Sequence, residues 1–182
     1  MLQKPLGMPA STSDFMAAMG QHVSSVCVIT TTFEAKRYGL TATAMSSVCA
    51  EPPRLLVCVN KNGSTHDMII KSGVFCVNVL SEYQDKIAKG FAGILGKDFD
   101  RFSQGEWHEM VTGAPALAGT SAAFDCKVVQ VIGQFSHSVI IGEVLATSNK
   151  AQDTLLYGAR KFRNLRKNIS ETTGEGAELL HF

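Results

Sequence analysis

Apolar positions near the start of the chain switch from a helical spacing to a two-residue alternation. Phe15, Ala18, Met19 and Val23 recur three to four residues apart behind the possible caps Ser13 and Asp14, predicting a short helix with one buried face. From Val23 to Thr32 β-branched residues take over, and Gly39 to Val48 alternates small polar with apolar side chains. Two strands joined by a turn at Glu34 to Arg37 are expected. Glu51-Pro52-Pro53 stops the pattern. Continuous apolar runs at Leu55 to Val59 and Val74 to Leu80 predict strands covered on both faces. Between them, Asn60 to Thr65 reads as a loop and residues 65–71 as a brief helix capped by Ser64. Ser81-x-x-Gln84 spells a capping box for a helix ending near Phe91, with Ile87, Ala88 and Phe91 on one face.

Gly93 to Gly119 reads as an irregular surface excursion with Trp107 as a packing anchor, and long loops of this kind are often functional. Ala122 to Ile132 and Ser138 to Thr147 predict a hairpin with a loose loop at 133–137, and residues 154–162 form the last regular piece. Strands dominate, and the short helices lie between them without a βαβ alternation, so a mainly β, antiparallel barrel is expected. The expected organisation is a lead-in at 1–12, one domain at 13–167 and a polar, mobile tail at 168–182 whose apolar end could dock on a partner.

Composition narrows the function classes. The 182 residues are 45% hydrophobic and 18% charged, enough for one domain with a true core. A formal net charge of +1 gives no broad footprint for a polyanion, which disfavours nucleic acid. Five cysteines, Cys27, Cys49, Cys58, Cys76 and Cys126, never spell C-x-x-C. Reduced, buried thiols are expected, with no disulfide framework and no metal site. No apolar stretch reaches the roughly 18 residues of a membrane helix, so a cytoplasmic protein is expected.

Several catalytic spellings fail. His108-Glu109 lacks the second histidine of H-E-x-x-H, the glycines at 90, 93 and 96 have the wrong intervals for a dinucleotide fingerprint, and neither a P-loop nor a G-x-S-x-G elbow occurs. What stands out is Thr41-Ala42-Thr43-Ala44-Met45-Ser46-Ser47-Val48, where hydroxyls and tiny side chains concentrate. It reads either as an exposed polar strand face or as a cradle whose N–H and hydroxyl groups serve a planar ligand without spending charge.

Together with Leu55 to Asn60, Ser64, Phe75 to Leu80 and Gln84, this segment resembles the short-chain flavin reductase family. These are the reductase components of two-component flavin monooxygenases, including those for 4-hydroxyphenylacetate, and the related reductase of pyrimidine breakdown. The resemblance runs from about Phe15 to Leu165. It implies an FMN-binding split β-barrel of Greek-key type with short flanking helices, assembled as a homodimer. Such a protein binds FMN or FAD, takes hydride from NADH or NADPH and passes reduced flavin to a partner oxygenase.

By that resemblance, Thr41, Ala42, Thr43, Ala44, Ser46, Ser47 and Val48 line the flavin ring and ribityl chain, with N–H donors of the segment stabilising the reduced ring. Cys58, Val59, Asn60, Ser64 and Thr65 approach its edge or phosphate, and Phe91 lies nearby. A Gly-Asp-His triplet of the family corresponds to Phe135-Ser136-His137, which assigns His137 to the nicotinamide. Tyr157 and Arg160 match a Tyr-x-x-Arg pattern, while the wider basic run from Arg160 to Lys167 reads as a solvated surface or a phosphate clamp. His66 adjoins the expected phosphate loop without an assigned role. Two alternatives accompany this reading: a flavin carrier without turnover, and a split-barrel FMN oxidase.

Overall fold

Residues 7–165 are described in the computed structural model. Helix α1 spans Thr12–Met19, and its cap is Ser11, not Ser13 or Asp14; the Ser11 hydroxyl accepts from the Asp14 N–H at 3.1 Å. None of its residues is buried, and Phe15, Met16 and Met19 stay exposed, so the one-sided burial expected of this helix is absent from the single chain.

Strands β1 (Ser24–Ser25), β2 (Cys27–Phe33) and β3 (Lys36–Ala42) follow. A two-residue turn at Glu34 and Ala35, both at positive φ, joins β2 to β3 with the twist a tight hairpin needs. The single strand expected over 39–48 is broken: β3 ends at Ala42, and β4 (Met45–Cys49) pairs instead with β5 (Arg54–Asn60). Helix α2 spans Ser64–Ser72 and opens at Gly63 without a side-chain cap, so Ser64 is its first residue and not its cap. After β6 (Val74–Val79), α3 spans Asp85–Phe91. The Ser81 N–H donates to Gln84 Oε1 at 2.9 Å, but α3 opens at Gln84 with no side-chain cap, so this bond closes the turn before the helix and the capping box expected at Ser81 is not formed.

The excursion is more ordered than its sequence implies. It holds the 3₁₀ turn η1 (Arg101–Ser103) and a small hairpin of β7 (Trp107–Glu109) with β8 (Pro115–Leu117). Two buried polar side chains pin it. Asn78 on β6 accepts from the Leu117 N–H at 2.7 Å and donates to the Val28 carbonyl at 3.0 Å. Asp125 accepts from the N–H groups of Val111 and Thr112 at 2.7 and 2.8 Å. Trp107 packs on Phe102 and Phe91 at 5.0 and 5.5 Å between ring centroids, the anchor its sequence suggested.

β9 (Ala122–Gln134) and β10 (His137–Asn149) form a long hairpin closed by Phe135 and Ser136 alone, in place of the loose loop expected at 133–137. β11 (Leu156–Gly158) and β12 (Lys161–Arg163) pair through a turn at Ala159 and Arg160, and β11 also pairs with β1, where one regular piece was expected. The tail at 168–182 lies outside the described residues.

The antiparallel, mainly β architecture is the expected one. The main sheet has the order β3-β2-β6-β9-β10-β5-β4, with every pair antiparallel. Its two edge strands are consecutive in the chain, joined by Thr43 and Ala44 alone. Three Cα steps of about 3.8 Å span at most about 11 Å, so the sheet must curl until its edges meet. A hydrogen bond from the Cys58 N–H to the Ala44 carbonyl, 3.1 Å, ties the link to β5.

Inside the curl, Cys27, Ile29, Leu55, Val57, Val59, Phe75, Val77 and Ile140 form the main core, the alternate residues of their strands. Val26, Val28, Leu80, Ala88, Phe91 and Leu117 make a second core between the outer face of β2, α3 and the excursion. The run Val74 to Leu80 is therefore covered on both faces nearly throughout. Leu55 to Val59 is not: Leu56 and Cys58 remain half-buried on the outer face, and the groove lies there.

Candidate functional site

A groove of about 550 Å³ lies where the sheet edges meet. Thr41, Ala42, Thr43 and Ala44 form one wall, Cys58 and Asn60 of β5 another, and Phe91, Asn62 and His137 complete it. Its geometry follows from strand alternation and from the switch of partners. β3 leaves β2 at Ala42 and β4 joins β5 at Met45, which leaves Thr43 and Ala44 between two ladders. Among the described residues the N–H groups of these two find no hydrogen-bond partner. Two free backbone donors beside small side chains suit the polar edge of a planar ring.

Thr41 has a structural duty as well. Its hydroxyl donates to the Ala88 carbonyl at 2.7 Å, which locks α3 against β3 and holds the Phe91 ring at the groove. Asn60 and His137 are cross-strand partners of β5 and β10, so both reach the same end. His137 Nδ1 lies 2.9 Å from the Ser136 hydroxyl, which leaves Nε2 without a partner among the described residues. Ser136 thus occupies the neighbouring position where the family resemblance places an aspartate.

Other expected site residues lie elsewhere. Val59 is fully buried in the main core, because it alternates with the groove-facing Cys58 and Asn60. Ser46 and Val48 are exposed on β4 outside the groove, and Ser47 points with Met45 toward a separate apolar cavity beside Phe124 and Val144. The break at Thr43 and Ala44 re-aims everything after it. Tyr157 stacks on Phe162 at 5.4 Å and borders a small apolar cavity on the far side of Thr41 to Thr43. Arg160 is exposed in the β11–β12 turn and lines neither cavity. Arg163 donates from Nε to the Gly158 carbonyl at 3.1 Å, and Arg166 and Lys167 lie outside the described residues. Leu40, Asn62, Gly63 and Ala92 line the groove without having been expected, each within two residues of a position that was.

His66 is buried. Its Nδ1 lies 2.9 Å from the Asp67 carboxylate and its Nε2 3.0 Å from the Ser138 hydroxyl, so α2 is fastened to β10 beside His137. Since Asp67 only accepts, Nδ1 carries the proton and Ser138 donates to Nε2 in the neutral ring. The buried thiols are kept protonated. Burial pushes Cys27 up to about 11, and burial together with the Asp125 charge pushes Cys126 up to about 12 and Cys76 further in the same direction. Cys49 and Cys58 are only half-buried, which departs from the expectation for all five.

A curled antiparallel sheet carries, on its small-residue link, a groove with free backbone donors that suits a planar ligand bringing its own chemistry. The chain belongs to the flavin reductase like domain family, whose pattern it matches over residues 19–166. An FMN reductase (NADH), RutF 2 of Methylorubrum extorquens strain PA1, is 39% identical over 163 residues, 89% of this chain and 94% of that protein. The solved structure of the flavin reductase PheA2 in its native state superposes with a TM-score of 0.80 at 31% identity, covering 87% of this chain and all of that one. BorF, the flavin reductase component of a bacterial two-component tryptophan halogenase, gives 0.78 at 26% identity, over 87% of this chain and 100% of that one.

Proposed function

We propose that this chain is an NADH-dependent flavin reductase that passes reduced flavin to a partner oxygenase. The observation that carries this reading is the pair of free N–H groups at Thr43 and Ala44, in a groove floored by small side chains. Flavin, when bound, supplies the electron acceptor, and the nicotinamide supplies the hydride. The protein's part is placement. The N–H groups of Thr43 and Ala44 would hold the polar edge of the bound ring and favour its more negative, reduced form. Phe91 backs the groove, while Asn60 and His137 frame its open end and would orient the nicotinamide there.

Residues 13–167 act as one flavin-binding unit in this reading. The chain works as a cytoplasmic homodimer, in which the exposed α1 face and β4 edge are available for pairing. No helix among the described residues is long and apolar enough to cross a membrane. The decisive experiment mixes purified protein with NADH and FMN or FAD and follows the near-ultraviolet absorbance of NADH. Oxidation well above the protein-free rate is expected. Flavin binding without NADH oxidation would leave only a carrier.

A further inference from the structure

The turn between β5 and α2 holds Asn62 followed by Gly63, and no other asparagine of the 182-residue chain precedes a glycine. Both residues are exposed and line the groove. Asparagine before glycine is the pair in which a backbone nitrogen can attack the side-chain carboxamide, because glycine puts no Cβ in the path of approach.

Local geometry leaves this pair free to react. The Asn62 N–H donates to Asn60 Oδ1 at 2.9 Å, while the exposed Asn62 carboxamide makes no hydrogen bond among the described residues. The Gly63 N–H reaches the Asn60 carbonyl only at 3.4 Å, beyond the usual range, so the attacking nitrogen is weakly held. Gly63 itself has φ −94° and ψ 141°, an extended conformation open to any residue. A Cβ built on it would meet nothing nearer than the Asn60 carbonyl at 3.8 Å. The fold therefore does not require a glycine here, and what this glycine contributes is access to Asn62.

We propose that Asn62 is a site of spontaneous deamidation, and that the reaction lowers flavin affinity as the protein ages. The Gly63 nitrogen gives up its proton and bonds to the Asn62 side-chain carbonyl carbon. The bond from that carbon to the amide nitrogen breaks, and ammonia leaves with the proton. Water then opens the cyclic imide at one of its two carbonyls, giving aspartate, or isoaspartate with the backbone rerouted through the side chain. No oxidant or further reactant enters.

Either product puts an ionised carboxylate where the groove wall had a neutral amide. A negative charge there repels an anionic flavin such as FMN, and the isoaspartate form also lengthens the turn that carries Asn60 and Gly63. This consequence rests on the flavin reading; the chemistry at Asn62 does not.

The test stores purified protein in mildly alkaline buffer at body temperature over weeks, digests it and weighs the peptides. The peptide holding Asn62 should gain one mass unit and split into aspartate and isoaspartate forms, the second a substrate for isoaspartyl methyltransferase. Gly63→Ala, which the backbone accommodates, should slow that gain several-fold. No gain at Asn62, a faster gain at Asn60, Asn149 or Asn164, or an unchanged rate in Gly63→Ala would overturn the proposal. In fluorescence titrations with FMN the affinity of the aged protein should fall by about threefold or more, and freshly made Asn62→Asp should reproduce the loss. Affinities equal to that of fresh wild type would refute the effect on the groove. Failure of the fresh protein to bind FMN counts against the flavin reading alone, and the peptide masses still decide the modification.

Discussion

Gly39 on β3 lies directly beneath the ring of Phe91 on α3: a Cβ placed there would come within 2.6 Å of the Phe91 Cε1 atom and 3.2 Å of the Ile29 carbonyl. The packing of α3 on the sheet therefore needs a residue without a side chain at this position. Gly39→Ala should destabilise the fold by about 1 to 3 kcal/mol, the usual cost of overpacking. Because Phe91 also lines the groove, flavin affinity should fall with it. Chemical denaturation and flavin titration of the same variant check both, and unchanged values of each would show that the helix can slide without cost.

Phe135 sits in the hairpin turn at φ 43°, with its side chain 99% exposed. A left-handed conformation costs a residue with a Cβ about 1 to 2 kcal/mol, and this ring recovers none of that by burial in the chain. Phe135→Gly should raise stability by about 0.5 to 1 kcal/mol after the greater freedom of glycine in the unfolded chain is counted. A lower denaturation midpoint would mean that the ring is covered in solution, which a concentration series would expose as self-association.

Asp125 holds the loop between β7 and β8 through two backbone N–H groups and the Thr112 hydroxyl. Asp125→Ala leaves these part-buried donors without their acceptor and should cost about 1 to 3 kcal/mol, while Asp125→Asn retains one acceptor and should cost less. Amide exchange at Val111 and Thr112 should quicken in both variants. Protection equal to wild type would show that water or another acceptor replaces the carboxylate.

Alkaline pH should weaken the fold through its buried thiols. The folded pKa values of Cys27 and Cys126, about 11 and about 12, lie above the ordinary thiol value, and Cys76 is shifted the same way. Between pH 9 and 11 the unfolded chain therefore binds fewer protons, and stability falls by up to about 1.4 kcal/mol per pH unit for each thiol. Below pH 9 this contribution is fully present. Denaturation midpoints from pH 8 to 11 measure the slope, and serine at the three positions should flatten it. Thiol titration of the native protein should find Cys49 and Cys58 reacting first, since they are the half-buried pair.

Local patterns made most of the strands legible. The β2–β3 hairpin, the doubly covered β6 and the Thr41 to Ala44 wall all follow from residues near in sequence. What escaped was decided by distant partners. The alternation from Gly39 to Val48 is continuous, and nothing within it tells that Ala42 pairs with Cys27 while Met45 pairs with Val57. Hence the pattern assigns Ser46, Ser47 and Val48 to the ribbon that precedes them, whereas β4 carries them away from the groove. Val59 was grouped with its neighbours, although a strand sends alternate side chains to opposite faces. The β7–β8 hairpin has three-residue strands held by Asn78 and Asp125, whose contacts lie 39 and 13 or 14 residues away.

The two-residue bridge of Thr43 and Ala44 also sets a parity. Side chains along β4 alternate, with Met45 packing against the core and Ser46 turned to solvent. A third residue in the bridge would exchange those rows, turning a methionine outward and carrying a serine into the interior. An insertion drawn into β4 is therefore costlier than one in a nearby surface loop, and chain length here behaves as a counting device.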